Sequence, residues 1–149
     1  MNVSLLKVIT MLSCFIGAVC GFIALLPYIG GFAFFTLMCL ASVIVMIFLM
    51  KLRVLNLESV PESITIGGII GFVSYLAFSI IYIPCTVILI RFFKYATNYG
   101  IALTLGHSNL FVIITISLFL AILSATINAF TGFLIYYIAE TFKNMSNRG

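Results

Sequence analysis

The chain has 149 residues, of which 64% are hydrophobic and only 7% are charged, and its mean hydropathy is +1.36. Soluble domains carry roughly a quarter of their residues as charged side chains, so this composition excludes an ordinary water-soluble protein. The formal net charge of +4 comes from basic residues scattered among loops and ends. That distribution is typical of orientation signals and contact with anionic lipid, and we expect no nucleic-acid partner.

Uncharged apolar runs recur along the chain, and a run of about 18 or more such residues is long enough to cross a bilayer as a helix. We therefore predict an all-α integral membrane protein, with a single polytopic domain over residues 1–149 and four transmembrane helices in a compact bundle. The predicted spans are about 8–29, 32–50, 64–90 and 110–139.

The connections between the first three spans differ in polarity. Pro27, Gly30 and Gly31 predict a tight, uncharged hairpin turn after the first span, because proline and glycine pairs interrupt helices. Lys51 then ends the second span. Residues 59–62, Ser-Val-Pro-Glu, fit a capping box with proline in the first turn, which predicts a third helix starting before its apolar part.

The third and fourth spans are longer than a bilayer requires. Pro84 predicts that the third helix either kinks there or ends there. Aromatic residues at helical spacing follow in the segment 91–109, which predicts either a short interfacial helix or an irregular loop with anchoring aromatics. The fourth span must tilt, kink or project beyond the hydrocarbon.

The basic residues are distributed unequally between the two ends of a four-span chain. One end carries Arg91 and Lys94. The other carries Lys7, Lys51, Arg53, Lys143 and Arg148. Because cytoplasmic loops are enriched in Lys and Arg, we expect both termini in the cytoplasm, in a membrane of the bacterial cytoplasmic type.

Two segments share the pattern G-x-x-x-G-F, at residues 17–22 and 67–72. In lipid, helices associate through close packing and interhelical hydrogen bonds, so small residues repeated every three or four positions predict contact faces. Such stripes occur on the first, third and fourth spans. The predicted helix-packing residues are Ser13, Gly17, Gly21, Gly67, Gly71, Ser74, Ser117, Ser124, Asn128 and Thr131.

The second span has no such stripe, so we expect the other three helices to form the centre and the second to lie at the periphery. Asn128 is the most polar side chain within any span, and its amide must be hydrogen-bonded in an apolar interior. The partners that we expect are Ser13, Ser74 or Asn128 of a second subunit.

Residues that carry enzyme chemistry are scarce. The chain has one histidine and three acidic residues, and none of the motifs for metalloproteases, α/β-hydrolases or phosphate-binding loops occurs. The four cysteines include no C-x-x-C pair. We therefore expect no enzyme activity, no catalytic residues, no cofactor and no metal site.

These observations favour a non-enzymatic membrane protein that acts through helix–helix contacts. It would be an assembly, scaffold or accessory subunit, with a second copy or another membrane protein as its partner besides the lipid bilayer. The alternative is an oligomeric channel or transporter for a small uncharged solute, lined by the polar stripe of the fourth span. The aromatic and basic segment 91–95 also allows a role in organising lipid.

Overall fold

The structure, a computed structural model, describes residues 3–57, 59–94 and 109–146, and the regular structure in these ranges is helical. Each helix is long and apolar enough to cross a membrane, judged by length and composition. The described part of the chain is therefore all helical and has the character of an integral membrane protein. The helices are α1 (Val3–Ile23), α2 (Gly30–Lys51), α3 (Val60–Phe93) and α4 (Leu110–Ser146).

The observed helices differ from the predicted spans mainly at their ends. Helix α1 stops at Ile23 because the chain turns ahead of Pro27, and the N–H of Gly30 closes this turn on the carbonyl of Leu26 at 3.1 Å. Helix α3 continues through Pro84 instead of ending there. Helix α4 runs past the predicted limit at residue 139, because polar residues mark where a helix leaves the apolar region and do not end it.

The predicted interfacial helix falls largely on residues 95–108, which lie outside the described residues, while 91–93 form the last turn of α3. At the start of α3, Ser59 is the N-cap residue, but its side chain makes no capping hydrogen bond. The capping box is therefore not formed, although Pro61 does occupy the first turn.

Helix α2 ends in a Schellman motif. The N–H of Arg53 donates to the carbonyl of Met50 and the N–H of Val54 donates to the carbonyl of Leu49, both at 3.0 Å. Arg53 takes the left-handed conformation that this motif needs, with φ of 56°. The chain is thereby turned back, and Leu55 is buried with only 2% of its surface exposed.

Contacts at glycines give the relative directions of the helices. On α1, Gly17 lies against Ser74 of α3 and Gly21 lies against Phe78 of α3, so α1 and α3 run in the same direction. Helix α4 runs oppositely to α3, because Gly67 lies against Asn128 and Gly71 against Ser124. We call the end that holds the start of α1, the α2–α3 connection and the end of α4 the loop end.

The most extensive contacts join α3 to α4 and to α1, as the small-residue stripes predict, and the contacts of α2 are smaller. Helix α2 is nevertheless not peripheral, because many of its residues are buried. It packs against all three other helices, and so does α3, whereas α1 and α4 lie at opposite corners of the arrangement. Ala41 and Ser42 are small, buried residues in the middle of α2, and Ala33 is a small, buried residue near its start. These small side chains let α2 approach its neighbours.

The apolar interior consists of two clusters, one in each half of the molecule. The cluster nearer the loop end is built around Ile9, Val45, Met46, Ile66 and Ile70. The other is built around Leu37, Met38, Tyr75, Phe78 and Ala121. Fully buried serines and one asparagine lie between them.

Two adjacent glycines of α3 offer a direct test of this packing. A methyl group on Gly67 would come closer than 3.0 Å to the backbone of Asn128, whereas a methyl group on Gly68 would meet Ala129 at an ordinary 3.7 Å. We expect Gly67→Ala to lower the free energy of unfolding by about 1–3 kcal/mol. Gly68→Ala is the control and should change it by no more than about 0.5 kcal/mol.

The measurement is reversible unfolding of both variants in mixed micelles with increasing SDS. Equal stability of the two variants would show that α3 and α4 do not meet at Gly67.

Candidate functional site

Five polar side chains with no solvent exposure form a layer across the middle of the helices. They are Ser13, Ser42, Ser74, Ser124 and Asn128. Each lies close to the midpoint of its helix. We call this set the polar layer, and it separates the two apolar clusters.

Asn128 is the centre of the polar layer. Its Nδ2 donates to the carbonyl of Met38 at 2.9 Å, and its Oδ1 accepts from the backbone N–H of Ser42 at 2.8 Å. In a regular helix the N–H of residue 42 pairs with the carbonyl of residue 38. The carboxamide of α4 thus matches one donor–acceptor pair of the α2 backbone. The same Nδ2 also donates to the Ser124 carbonyl at 3.0 Å.

Serine and threonine hydroxyls extend this contact to neighbouring positions. Ser124 Oγ donates to the carbonyl of Gly71 on α3 at 3.1 Å. The hydroxyls of Ser42 and Thr131 bond each other across α2 and α4, and Thr131 Oγ1 also lies 2.9 Å from the carbonyl of Asn128. Helix α4 is therefore hydrogen-bonded to both α2 and α3 near its middle.

Ser63 adds a second link between α3 and α4, nearer the loop end. Its hydroxyl donates to the carbonyl of Gly132 at 2.6 Å. Gly132 has no room for a side chain, because a Cβ there would lie 2.6 Å from the carbonyl oxygen of Ser63. The close backbone approach and the hydrogen bond therefore occur at the same place.

Two of the expected partners of Asn128, Ser13 and Ser74, do not bond it. Ser13 donates to the carbonyl of Ile9 at 2.7 Å and Ser74 donates to the carbonyl of Ile70 at 2.6 Å, each within its own helix. Serine in an apolar helix commonly bonds the carbonyl four residues earlier. The Asn128 amide instead bonds the backbone of α2. Backbone groups are present at every residue, so the identities of the side chains do not indicate this partner.

The structure distributes the predicted packing residues over two contacts. Gly17 and Gly21 of α1 face α3 beside Ser74. Gly67 and Gly71 of α3 face α4, where Ser124, Asn128 and the partly buried Thr131 lie. Ser117 is partly buried.

Ser42, Ser63 and Gly132 were missed by the sequence reasoning. A signal existed for two of them. Ser63 precedes Gly67 and Gly71 at a spacing of four, and Gly132 follows Ser124 and Asn128 at the same spacing. Positions four apart share a helix face, so both residues extend the predicted stripes. Ser42 has no such partner on α2.

The polar layer joins helices through hydrogen bonds. It contains no ionisable side chain, and the carboxamide of Asn128 uses both its donor and its acceptor within the protein. In the portions of the chain that the structure describes, no three His, Cys, Asp or Glu residues are grouped so as to hold a metal ion. The cysteines are free thiols, of which Cys14 is exposed.

Removal of the Asn128 amide should loosen α2 from α4. We expect Asn128→Ala to lower the free energy of unfolding by about 1–3 kcal/mol, since interhelical hydrogen bonds in membranes contribute about 0.6–1.7 kcal/mol each and a small cavity is added. Hydrogen exchange at the Ser42 amide should accelerate. Thr126→Ala is the control, because Thr126 is exposed and bonds only the carbonyl of Ile122 in its own helix.

Equal loss of stability in Asn128→Ala and Thr126→Ala would contradict the role assigned to the amide.

The chain was compared with protein-family models, with curated proteins and with solved structures. None of them matches it. Its functional interpretation therefore depends on its own geometry and chemistry.

Proposed function

We propose that this chain is a non-enzymatic integral membrane protein that works through helix–helix contacts. It would serve as an assembly, scaffold or accessory subunit of a larger membrane complex, or associate with further copies of itself. The polar layer and the glycine contacts join helices of one chain, so a partner would have to bind the outer surface. The outer surface of α4 is the part of the molecule that supports this proposal best.

Helix α4 exposes large apolar side chains along nearly its whole length, from Leu110 at 69% exposure to Met145 at 56%. At 1.5 Å per residue this face is about 50 Å long, against about 30 Å of hydrocarbon and about 40–45 Å with both headgroup regions. To fit the face within the hydrocarbon alone, the helix would need a tilt above about 50°, beyond the usual range of about 0–40°.

At ordinary tilts, part of the apolar face of α4 therefore lies beyond the hydrocarbon, at the level of the headgroups. A helix of another subunit or of a second copy would cover it there. Helix α1 differs in this respect, because its 21 residues span only about 32 Å at the same rise per residue, a length that lipid can cover.

A channel for a small uncharged solute has less support. That proposal needs the polar stripe of α4 to line a path. Ser124, Asn128 and Thr131 instead direct their polar groups at α2, α3 and α4 itself. A path along this stripe would require these hydrogen bonds to open.

The proposal includes an orientation, with both termini in the cytoplasm of a bacterial-type cell. It is supported by Lys7, Lys51, Arg53 and Lys143, which all belong to the loop end, while Arg91 and Lys94 belong to the opposite end. The rule that basic residues stay on the cytoplasmic side is the physical reason.

The orientation can be tested by labelling single cysteines in a variant whose native cysteines are replaced. Arg53→Cys and Asn144→Cys should react with a membrane-impermeant thiol reagent only after the cytoplasmic side is opened. Lys94→Cys is the counterpart and should react in intact cells. The reverse pattern would overturn the orientation without affecting the helix contacts.

The partner surface can be tested by oxidative crosslinking in native membranes, again with the native cysteines replaced. We expect Phe111→Cys and Phe119→Cys on α4 to give a discrete crosslinked species whose composition mass spectrometry identifies. Phe15→Cys on α1 is a matched control, because Phe15 is 65% exposed and Phe119 is 66% exposed. It should give little product.

Crosslinking at Phe15→Cys equal to that on α4 would indicate random collision, and its absence at both α4 positions would refute the α4 partner surface.

A further inference from the structure

An open groove of about 800 Å³ lies at the loop end, between the α2–α3 connection and the last turns of α4. This volume is within the range of about 300–1,000 Å³ that small-molecule sites occupy. Its polar lining consists of Asn56, Tyr136, Glu140, Lys143 and Asn144. The groove is distinct from the polar layer and from the outer face of α4 discussed above.

The position of the groove along the helices corresponds to the membrane–water boundary of a spanning bundle. Ile135 is buried within the apolar cluster at this end, and Tyr136 follows it at the edge of the groove. Lys51 ends α2 at the same end of the molecule. Tyrosine and lysine are the residues that anchor helices at the level of lipid headgroups.

Glu140 and Lys143 give the groove both signs of charge. They are three residues apart on α4 and both line the groove, and side chains at this spacing have Cβ atoms about 5–6 Å apart. Both residues are described by the structure, and they do not form an ion pair with each other. The Glu140 carboxylate would repel a purely anionic ligand, and the Lys143 ammonium would repel a purely cationic one.

A ligand whose headgroup carries a phosphate and an ammonium group joined by a two-carbon linker satisfies both side chains. Lys143 would donate to the phosphate and Glu140 would accept from the ammonium, while Asn56 and Asn144 offer further donors and acceptors. From this geometry we propose that the groove binds the headgroup of an ethanolamine phospholipid. A choline headgroup carries the same charges but has no N–H to donate to Glu140.

The surroundings of the groove favour a lipid over a free phosphoethanolamine molecule. Met50, Leu57 and Ala139 contribute apolar lining. An acyl chain that leaves the headgroup toward the hydrocarbon would pass this apolar lining.

The proposal can be tested with the full chain in nanodiscs of equimolar phosphatidylethanolamine, phosphatidylcholine and phosphatidylglycerol, by native mass spectrometry of the retained lipid. We expect about threefold to fivefold enrichment of phosphatidylethanolamine over each of the others, the size of effect that exposed charged contacts give. Lys143→Gln should abolish the enrichment. Glu140→Gln should shift the preference to phosphatidylglycerol, because the remaining lysine favours an anion.

Lys51→Gln is the matched control, since it removes an exposed lysine of the same end that does not line the groove. It should leave the enrichment intact. The proposal would be overturned by equal retention of the three lipids, or by an equal effect of Lys51→Gln and Lys143→Gln. Displacement of the lipid by soluble phosphoethanolamine at matched concentration would overturn the assignment of a lipid in favour of a free headgroup compound.

Discussion

A primary carboxamide in the middle of four apolar helices must be hydrogen-bonded by polar groups of the protein. Neither lipid tails nor apolar side chains can form the hydrogen bonds that water would supply. Asn128 meets this requirement at the backbone of α2. That choice has a geometric consequence. A side chain as short as asparagine reaches a neighbouring backbone only where the two helices lie close together. The position of α2 and its small residues at Ala41 and Ser42 follow from this requirement.

Glycine contacts and hydrogen bonds support each other along the α3–α4 interface. Gly71 allows Ser124 to approach closely enough to bond the Gly71 carbonyl, and Gly132 does the same for Ser63. In lipid no hydrophobic driving force presses helices together, so dispersion contacts and polar contacts between backbones have to supply the association. At this interface the two kinds of contact share the same residues. The α1–α3 interface is simpler, because Gly17 and Gly21 give close packing there while Ser13 and Ser74 bond their own helices.

The existence and approximate position of the helices followed from hydropathy, since a long apolar run leaves few other conformations in a bilayer. The helix ends did not follow from it. Hydropathy marks where the chain leaves apolar surroundings, whereas α4 continues into polar residues and α3 continues through Pro84. The structure brings Gly67, Gly71, Ser124 and Asn128 together at one interface, and the spacing of these residues had placed them on helix faces. The contacts of α2 could not be predicted from glycine patterns, because small Ala and Ser side chains and a backbone pair at Met38 and Ser42 make them.

The location of Asn128 on α4, which follows α2 and α3 along the chain, has a consequence for biogenesis. The hydroxyls of Ser42 and Ser63, which meet α4 in the finished structure, can each bond a carbonyl of their own helix while α4 is still missing. The Met38 carbonyl and the Ser42 amide can pair with each other in the same interval. A nascent chain that has inserted only α1, α2 and α3 can therefore keep these two hydroxyls and this backbone pair hydrogen-bonded. The Asn128 carboxamide needs a partner only when α4 emerges from the ribosome. The α2 backbone that it binds is already inserted by then.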